Sequence, residues 1–207
     1  MLDVETFVRQ CFVRIRRKPV GREGDGIEEG RVENDPDSRS ERQRAPPHSR
    51  LPASEASMTY VSVVGAGEAS DELYEQAREV GRLVAERGGT VICGGRGGVM
   101  EAAARGAFEA GGVAIGILPD EDRRQANRYL SYSIATGTGH ARNLAVACSG
   151  DVVIAIGGEY GTLSEIGLAK KVGRPVVALS SWELGEHVIV ASSSEEAVAA
   201  AFEAVGV

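Results

Sequence analysis

From Thr59 onward the chain alternates between two hydrophobic rhythms. Short, nearly unbroken apolar runs at Tyr60–Val64, Thr90–Cys93, Val113–Leu118, Val152–Ile156 and Pro175–Leu179 predict strands buried on both faces. Tyr129–Ala135 reads as extended, and His187–Val190 as a last short strand. Between these runs the apolar spacing changes to three and four. Leu73, Ala77, Val80 and Val84 share one helical face, and Gly88-Gly89 ends that helix. A small-residue helix is expected over Val99–Glu109, stopped by Gly111-Gly112. The turn Thr136-Gly137-Thr138-Gly139 leads into a helix holding His140, Arg142 and Asn143, with Leu144, Val146 and Ala147 on its apolar faces. Ser194–Val205 is an alanine-rich closing helix behind a serine cap. Asp120–Arg128 is polar, carries Arg123, Arg124 and Arg128, and reads as a mobile loop.

Buried strands alternating with helices specify an α/β fold, a doubly wound, Rossmann-like parallel sheet flanked by helices. Such sheets bind ligands beyond the carboxyl ends of their strands. Three glycine loops follow strands here and are expected at that edge: Gly65-Ala66-Gly67, Gly94-Gly95-Arg96-Gly97-Gly98 and Gly157–Gly161.

The segment Asp151–Lys171 carries the strongest chemical signal. A β-branched strand runs into Gly157, Gly158 and Gly161, and then into a helix with Leu163, Ile166 and Ala169 at helical spacing. Strand, glycine loop and helix start aim backbone N–H groups and the positive helix end at one spot, which suits a phosphate. Thr162 followed three residues later by Glu165 has the form of a capping box. The bland alternative makes the glycines a tight turn and Glu165 a cap with Arg142 as its ion-pair partner.

Composition narrows the ligand class. The chain has 207 residues, 43% of them hydrophobic, with 27 glycines, enough for one packed domain with many tight turns. Aromatic residues are 5%, too few for a stacking platform for single-stranded nucleic acid. A net charge of −7 disfavours nucleic acid and anionic membranes as partners. Cys11, Cys93 and Cys148 are scattered without metal-ligand spacing, and the last two read as buried thiols of a reducing cytoplasm. No apolar run reaches membrane-span length and no signal-peptide core is present, so the expected location is cytoplasmic.

Residues 1–57 differ from the rest. They hold five of the seven prolines, and their 11 basic and 11 acidic residues cancel, so the −7 belongs to 58–207. The expectation is a disordered tail or an over-extended reading frame before Met58, with only Val4–Lys18 able to form a short helix or strand. Intact peptides from residues 1–50 in the native protein would count against the over-extended frame.

Other cofactor chemistries fit poorly. Gly65-Ala66-Gly67-Glu68-Ala69-Ser70 has two of the three glycines of a dinucleotide fingerprint, and the second strand ends without the acidic residue that holds a ribose. No Gly-Lys-Ser/Thr occurs. Lys170 and Lys171, the lysines of the globular part, lie well into a helix and read as solvated.

Four motifs in order resemble the Lonely Guy superfamily, long labelled "possible lysine decarboxylase". They are Gly94-Gly95-Arg96-Gly97-Gly98-Val99-Met100, Gly116-Ile117-Leu118-Pro119, Arg142-Asn143 and Gly157-Gly158-Glu159-Tyr160-Gly161-Thr162-Leu163-Ser164-Glu165. The resemblance spans roughly 59–205 and includes two branches. One is the phosphoribohydrolases that split nucleoside 5′-monophosphates, and the other is the molybdenum cofactor carriers. The hydrolases carry Pro-Gly-Gly-x-Gly-Thr-x-x-Glu and a lysine after the motif arginine. Here Gly157 replaces the proline, Glu159 the second glycine, and Asn143 the lysine, which is closer to the carrier branch.

The resemblance implies a phosphorylated nucleotide-type ligand, with the molybdenum cofactor or a nucleotide as the bound molecule and no further cofactor. The ligand-binding candidates are Gly65, Gly67, Gly94, Gly95, Arg96, Gly97, Gly98, Met100, Arg142, Asn143, Gly157, Gly158, Gly161, Thr162 and Glu165. In a hydrolase Glu165 would be the carboxylate beside the reacting carbon and Arg142 the phosphate anchor. A sensor that binds a nucleotide without turnover is a third reading. His140 and Trp182 are secondary candidates for ligand contact, and a homodimer or larger assembly is expected.

Overall fold

In the computed structural model, which describes residues 58–207, seven strands form one parallel sheet. The strands are β1 (Tyr60–Gly65), β2 (Thr90–Cys93), β3 (Val113–Leu118), β4 (Tyr132–Ala135), β5 (Val152–Ile156), β6 (Val176–Leu179) and β7 (Ile189–Ala191). Their order is β4-β3-β2-β1-β5-β6-β7. The chain winds outward from β1 in one direction as far as β4, then returns to β5 on β1's other side and winds the opposite way. The topological switch point is therefore the β1–β5 pair, where Val61 registers with Val152 and Gly65 with Ile156.

Five helices cover the sheet: α1 (Asp71–Glu86), α2 (Val99–Glu109), α3 (Arg142–Ser149), α4 (Tyr160–Lys171) and α5 (Ser194–Ala204). Because side chains alternate along a strand, each strand feeds two cores. Val61, Val63, Val91, Ile154, Ile156 and Val177 pack with α1, α2 and α5. Val64, Ile92, Ile117, Val153, Ala155 and Ala178 pack with α3 and α4. α1 starts at Ser70, whose hydroxyl accepts from the Leu73 N–H at 3.3 Å, and α5 starts at Ser193, whose hydroxyl accepts from the Glu196 N–H.

Two glycines inside helices set the spacing of α1 and α2. A β-carbon at Gly106 would lie 1.8 Å from the Arg78 carbonyl oxygen, and one at Gly81 would lie 2.0 Å from that of Ala103. Backbone touches backbone, and the alanines around Gly106 complete a small-residue seam.

Several elements depart from the expectations. Extended structure begins at Tyr132 rather than Tyr129, because Asn127 takes the preceding segment back to the second glycine loop. The Asn127 N–H donates to the Gly95 carbonyl and its side-chain amide to that of Arg96. The expected mobile loop at Asp120–Arg128 contains a 3-10 turn, Arg123–Gln125, capped by Asp122. A 3-10 turn, Gly139–Ala141, precedes α3, and another, Gly185–His187, displaces β7 to Ile189–Ala191. Cys93 is buried as expected, whereas Cys148 is half-buried. Lys170 and Lys171 are exposed. The expectations for residues 1–57, including Val4–Lys18 and Cys11, lie outside the described residues.

Candidate functional site

The third glycine loop turns more tightly than the capping-box reading requires. Gly157 and Gly158 have φ of 56° and 105°, in the left-handed region that favours glycine. Gly158 also packs on Thr162, where a β-carbon would lie 2.2 Å from Oγ1. The turn lets α4 begin at Tyr160, with Glu159 in the cap position and no side chain capping the first N–H groups. Thr162 is thus the third residue of the helix, buried against Gly158, and the capping box does not form. Glu165, released from that role, projects from the inner face of α4.

Glu165 meets Arg142, the first residue of α3. Nη1 of Arg142 lies 3.5 Å from Oε1 of Glu165, and their side chains are 11% and 8% exposed. Nη2 approaches the Met100 sulfur at 3.8 Å, and Nε is buried without a partner among the described residues. The guanidinium rests on Gly94, where a β-carbon would lie 2.2 Å from Nη1. Burial pulls the Arg142 pKa down, with Glu165 opposing. Burial also pushes the Glu165 carboxyl up to about 7, with Arg142 pulling it back. The pair is close but loosely engaged, since 3.5 Å is long for a charge-assisted hydrogen bond.

Around this pair lies a cleft of about 370 Å³ at the carboxyl ends of β1, β2 and β5, on the switch point. Of the fifteen candidate residues it gathers nine: Gly65, Gly67, Gly94, Met100, Arg142, Asn143, Gly161, Thr162 and Glu165. His140 also lines it and is exposed.

The other six lie behind the walls. Gly157 and Gly158 shape the turn. Gly98, with φ of 63°, packs on the first loop, where a β-carbon would lie 2.4 Å from the Ala66 carbonyl oxygen. That carbonyl accepts from the Val99 N–H, so the first loop plugs the start of α2. Gly95 packs on Leu118, and Gly97 faces the Gly67 carbonyl. Arg96 forms an ion pair with Asp120. The second glycine loop is mainly a packing device that seats Arg142.

Ala66 of the first loop lines the cleft as well, and so do Val63, Val64 and Glu68, which the sequence did not single out. Glu68 stands one residue beyond Gly67. It joins Glu159 and Glu165 in making a carboxylate-rich wall around one guanidinium. Trp182 is not a lining residue. Its indole donates to the Glu159 carbonyl at 3.3 Å and its ring tilts against that of Tyr160, 5.9 Å between centroids, bracing the α4 entry from outside. Among the described residues no cluster of three or more His, Cys, Asp or Glu is arranged to hold a metal, and no helix is long and apolar enough to cross a membrane.

Known proteins share this fold. A protein of Archaeoglobus fulgidus is 45% identical over 138 residues, covering 67% of this chain and 91% of that protein. The molybdenum cofactor binding protein of Rippkaea orientalis superposes with a TM-score of 0.66 at 37% identity, over 69% of this chain and 94% of its own. The molybdenum cofactor carrier protein of Chlamydomonas reinhardtii gives 0.65 at 31%, over 72% and 99%. The family model described as SLOG cluster4 (LDcluster4) matches residues 58–205, nearly all of the described fold, and the chain belongs to that family.

Proposed function

We propose that this protein binds a phosphorylated pterin of the molybdenum cofactor type in the switch-point cleft and carries it without chemical change. The observation that supports this most directly is the buried guanidinium of Arg142, whose Nε has no partner among the described residues, in the same cleft as the start of α4, where no side chain of the described residues caps the first N–H groups. A buried donor without an acceptor is costly, and a ligand phosphate would satisfy it bidentately while the N–H groups of Gly161 and Thr162 take the remaining oxygens. The similarity to cofactor-binding and carrier proteins supports the pterin, and so does Asn143 in place of a second cation. Glu159 is exposed, so water screens its repulsion of the phosphate.

A second reading rests on Glu165. A nine-tenths buried carboxylate with a pKa near 7 could serve at an oxocarbenium-like centre, giving an N-glycosidic phosphoribohydrolase.

Titration calorimetry of the full chain separates the two. Metal-free pterin phosphate should bind one per chain, and Arg142→Ala should weaken it roughly 10- to 100-fold, the effect of one charged hydrogen-bonding group. Absence of pterin binding, or an unchanged affinity in Arg142→Ala, would overturn the carrier. Release of ribose 5-phosphate from a nucleoside monophosphate, lost in Glu165→Gln, would establish the hydrolase instead.

A further inference from the structure

A phosphate held by Arg142 creates a charge conflict inside the cleft. Glu68 and Glu159 line it too, but both are exposed, so water screens them. Glu165 is not screened in this way. Its side chain is 8% exposed, and its Oε1 lies 3.5 Å from Nη1 of Arg142, on the guanidinium that a phosphate would engage. The two buried groups cancel when both are ionised. A phosphate monoester dianion added beside them leaves one cation facing an ionised carboxylate and the dianion, in a setting of low dielectric.

The neighbouring groups of the described fold do little to offset that charge. Asn143, beside Arg142, is neutral. Arg96, in the second glycine loop, is paired with Asp120. Cys93, at the end of β2, is a thiol that burial pushes up to about 11, so it contributes no charge near neutral pH. His140 lines the cleft from the turn before α3 and is exposed. Lys170 and Lys171 stand at the far end of α4. The N–H groups at the start of α4 help, but they serve the phosphate and leave the buried carboxylate where it is.

A proton resolves the conflict. We propose that the cleft takes up a phosphate monoester together with one proton held on the Glu165 carboxyl, so that Glu165 binds the ligand as a neutral hydrogen-bond donor. This deepens the phosphate-site reading above and rests on it. The monoester arrives as a dianion, solvent supplies the proton, and the new O–H donates to a phosphate oxygen. Arg142 keeps its charge for the other oxygens. When the ligand leaves, the proton returns to solvent. A neutral carboxylic acid has the donor that an ionised one lacks. Burial, opposed by Arg142, already brings the carboxyl to about 7, and a dianion beside it raises it further. Affinity therefore falls as pH rises, and loss of this one proton favours release.

Titration calorimetry of the full chain tests this with two probes, metal-free pterin phosphate and phenyl phosphate. Each is run in two buffers of different ionisation heat, which counts protons. At about pH 8.5 phosphate monoesters are fully ionised and exposed imidazoles are neutral. The wild type should there take up between about half and one proton per ligand, and its affinity should fall roughly three- to tenfold per pH unit. Glu165→Gln, whose amide donates at every pH, should take up none, lose that slope, and bind roughly tenfold more tightly than the wild type at this pH. Should Glu165→Gln fail to fold, the infrared difference spectrum of the wild type with and without phenyl phosphate should show the carbonyl stretch of a protonated carboxylic acid.

No proton uptake by the wild type, equal uptake in Glu165→Gln, or no protonated-acid band would each overturn the proposal. Pterin phosphate bound through Arg142 without proton uptake would overturn it and leave the carrier reading standing. Proton-coupled binding of phenyl phosphate with no binding of pterin phosphate would do the reverse. Binding of neither probe would overturn both.

Discussion

Gly106→Val is expected to lower stability by about 3 kcal/mol or more, the upper end of the overpacking range. A β-carbon at Gly106 would lie 1.8 Å from the Arg78 carbonyl oxygen, with the Arg78 carbonyl carbon and the Arg82 nitrogen both at 2.8 Å. All three are backbone atoms of α1, so no rotamer change relieves the clash. The helix as a whole must move, and it would have to leave a core in which Ala77, Val80 and Val84 are buried. Helix propensity works in the opposite direction, since glycine is roughly 1 kcal/mol worse than alanine in a helix, but steric exclusion is the larger effect. At about 2–4 °C per kcal/mol for a domain of this size, the melting temperature should fall by roughly 6–12 °C. Thermal unfolding of both chains checks this, and a valine variant as stable as the wild type would show that α1 and α2 are not in backbone contact.

The second large effect is a pH dependence assigned to Glu165. Burial raises its carboxyl from 4.5 to about 7, so the folded chain holds a proton there that the unfolded chain has released. Stability linked to this group is therefore full below pH 4.5 and lost as pH rises toward 7, by an amount on the order of 3 kcal/mol. Glu165→Gln removes that titration. The stability of the wild type minus that of the variant should accordingly decline between pH 5 and 8 and level off above. The carboxylates of Glu79, Glu109, Asp122 and Glu196 are held low by neighbouring donors, chiefly arginines and, for Glu196, Ser192, so they titrate below this window. Denaturant unfolding at several pH values supplies the measurement. Parallel curves for the two chains would mean that Glu165 is ionised throughout, held by Arg142 more firmly than the 3.5 Å contact implies.

Much of the fold was legible because its signals are local. Thr90–Cys93, Val99–Glu109, Val113–Leu118 and Val152–Ile156 appear with the bounds that their apolar runs and glycine stops predict. A strand buried on both faces must be apolar throughout, and a chain must leave a helix where glycine lets it turn. The site was legible in part. Arg142, Thr162 and Glu165 do come together in one cleft. The cap departs from the expectation, because Thr-Leu-Ser-Glu fits a capping box only where Thr162 is the N-cap, and the N-cap is Glu159. Where the helix starts depends on how fast Gly157 and Gly158 turn the chain, a matter of tertiary packing against Leu73 and Thr162.

Local pattern is enough to set the alternation of buried strands and helices, the ends of most elements, and the residue types available for an anion site. Each depends on neighbours within a few positions. Which glycines serve the cleft and which serve packing is settled by the folded arrangement, because a glycine under a guanidinium and one against a carbonyl look the same in the chain. It also decided that Gly81 and Gly106 hold two helices in backbone contact. Those properties depend on which residues meet across tens of positions, and that is settled only when the strands take their order.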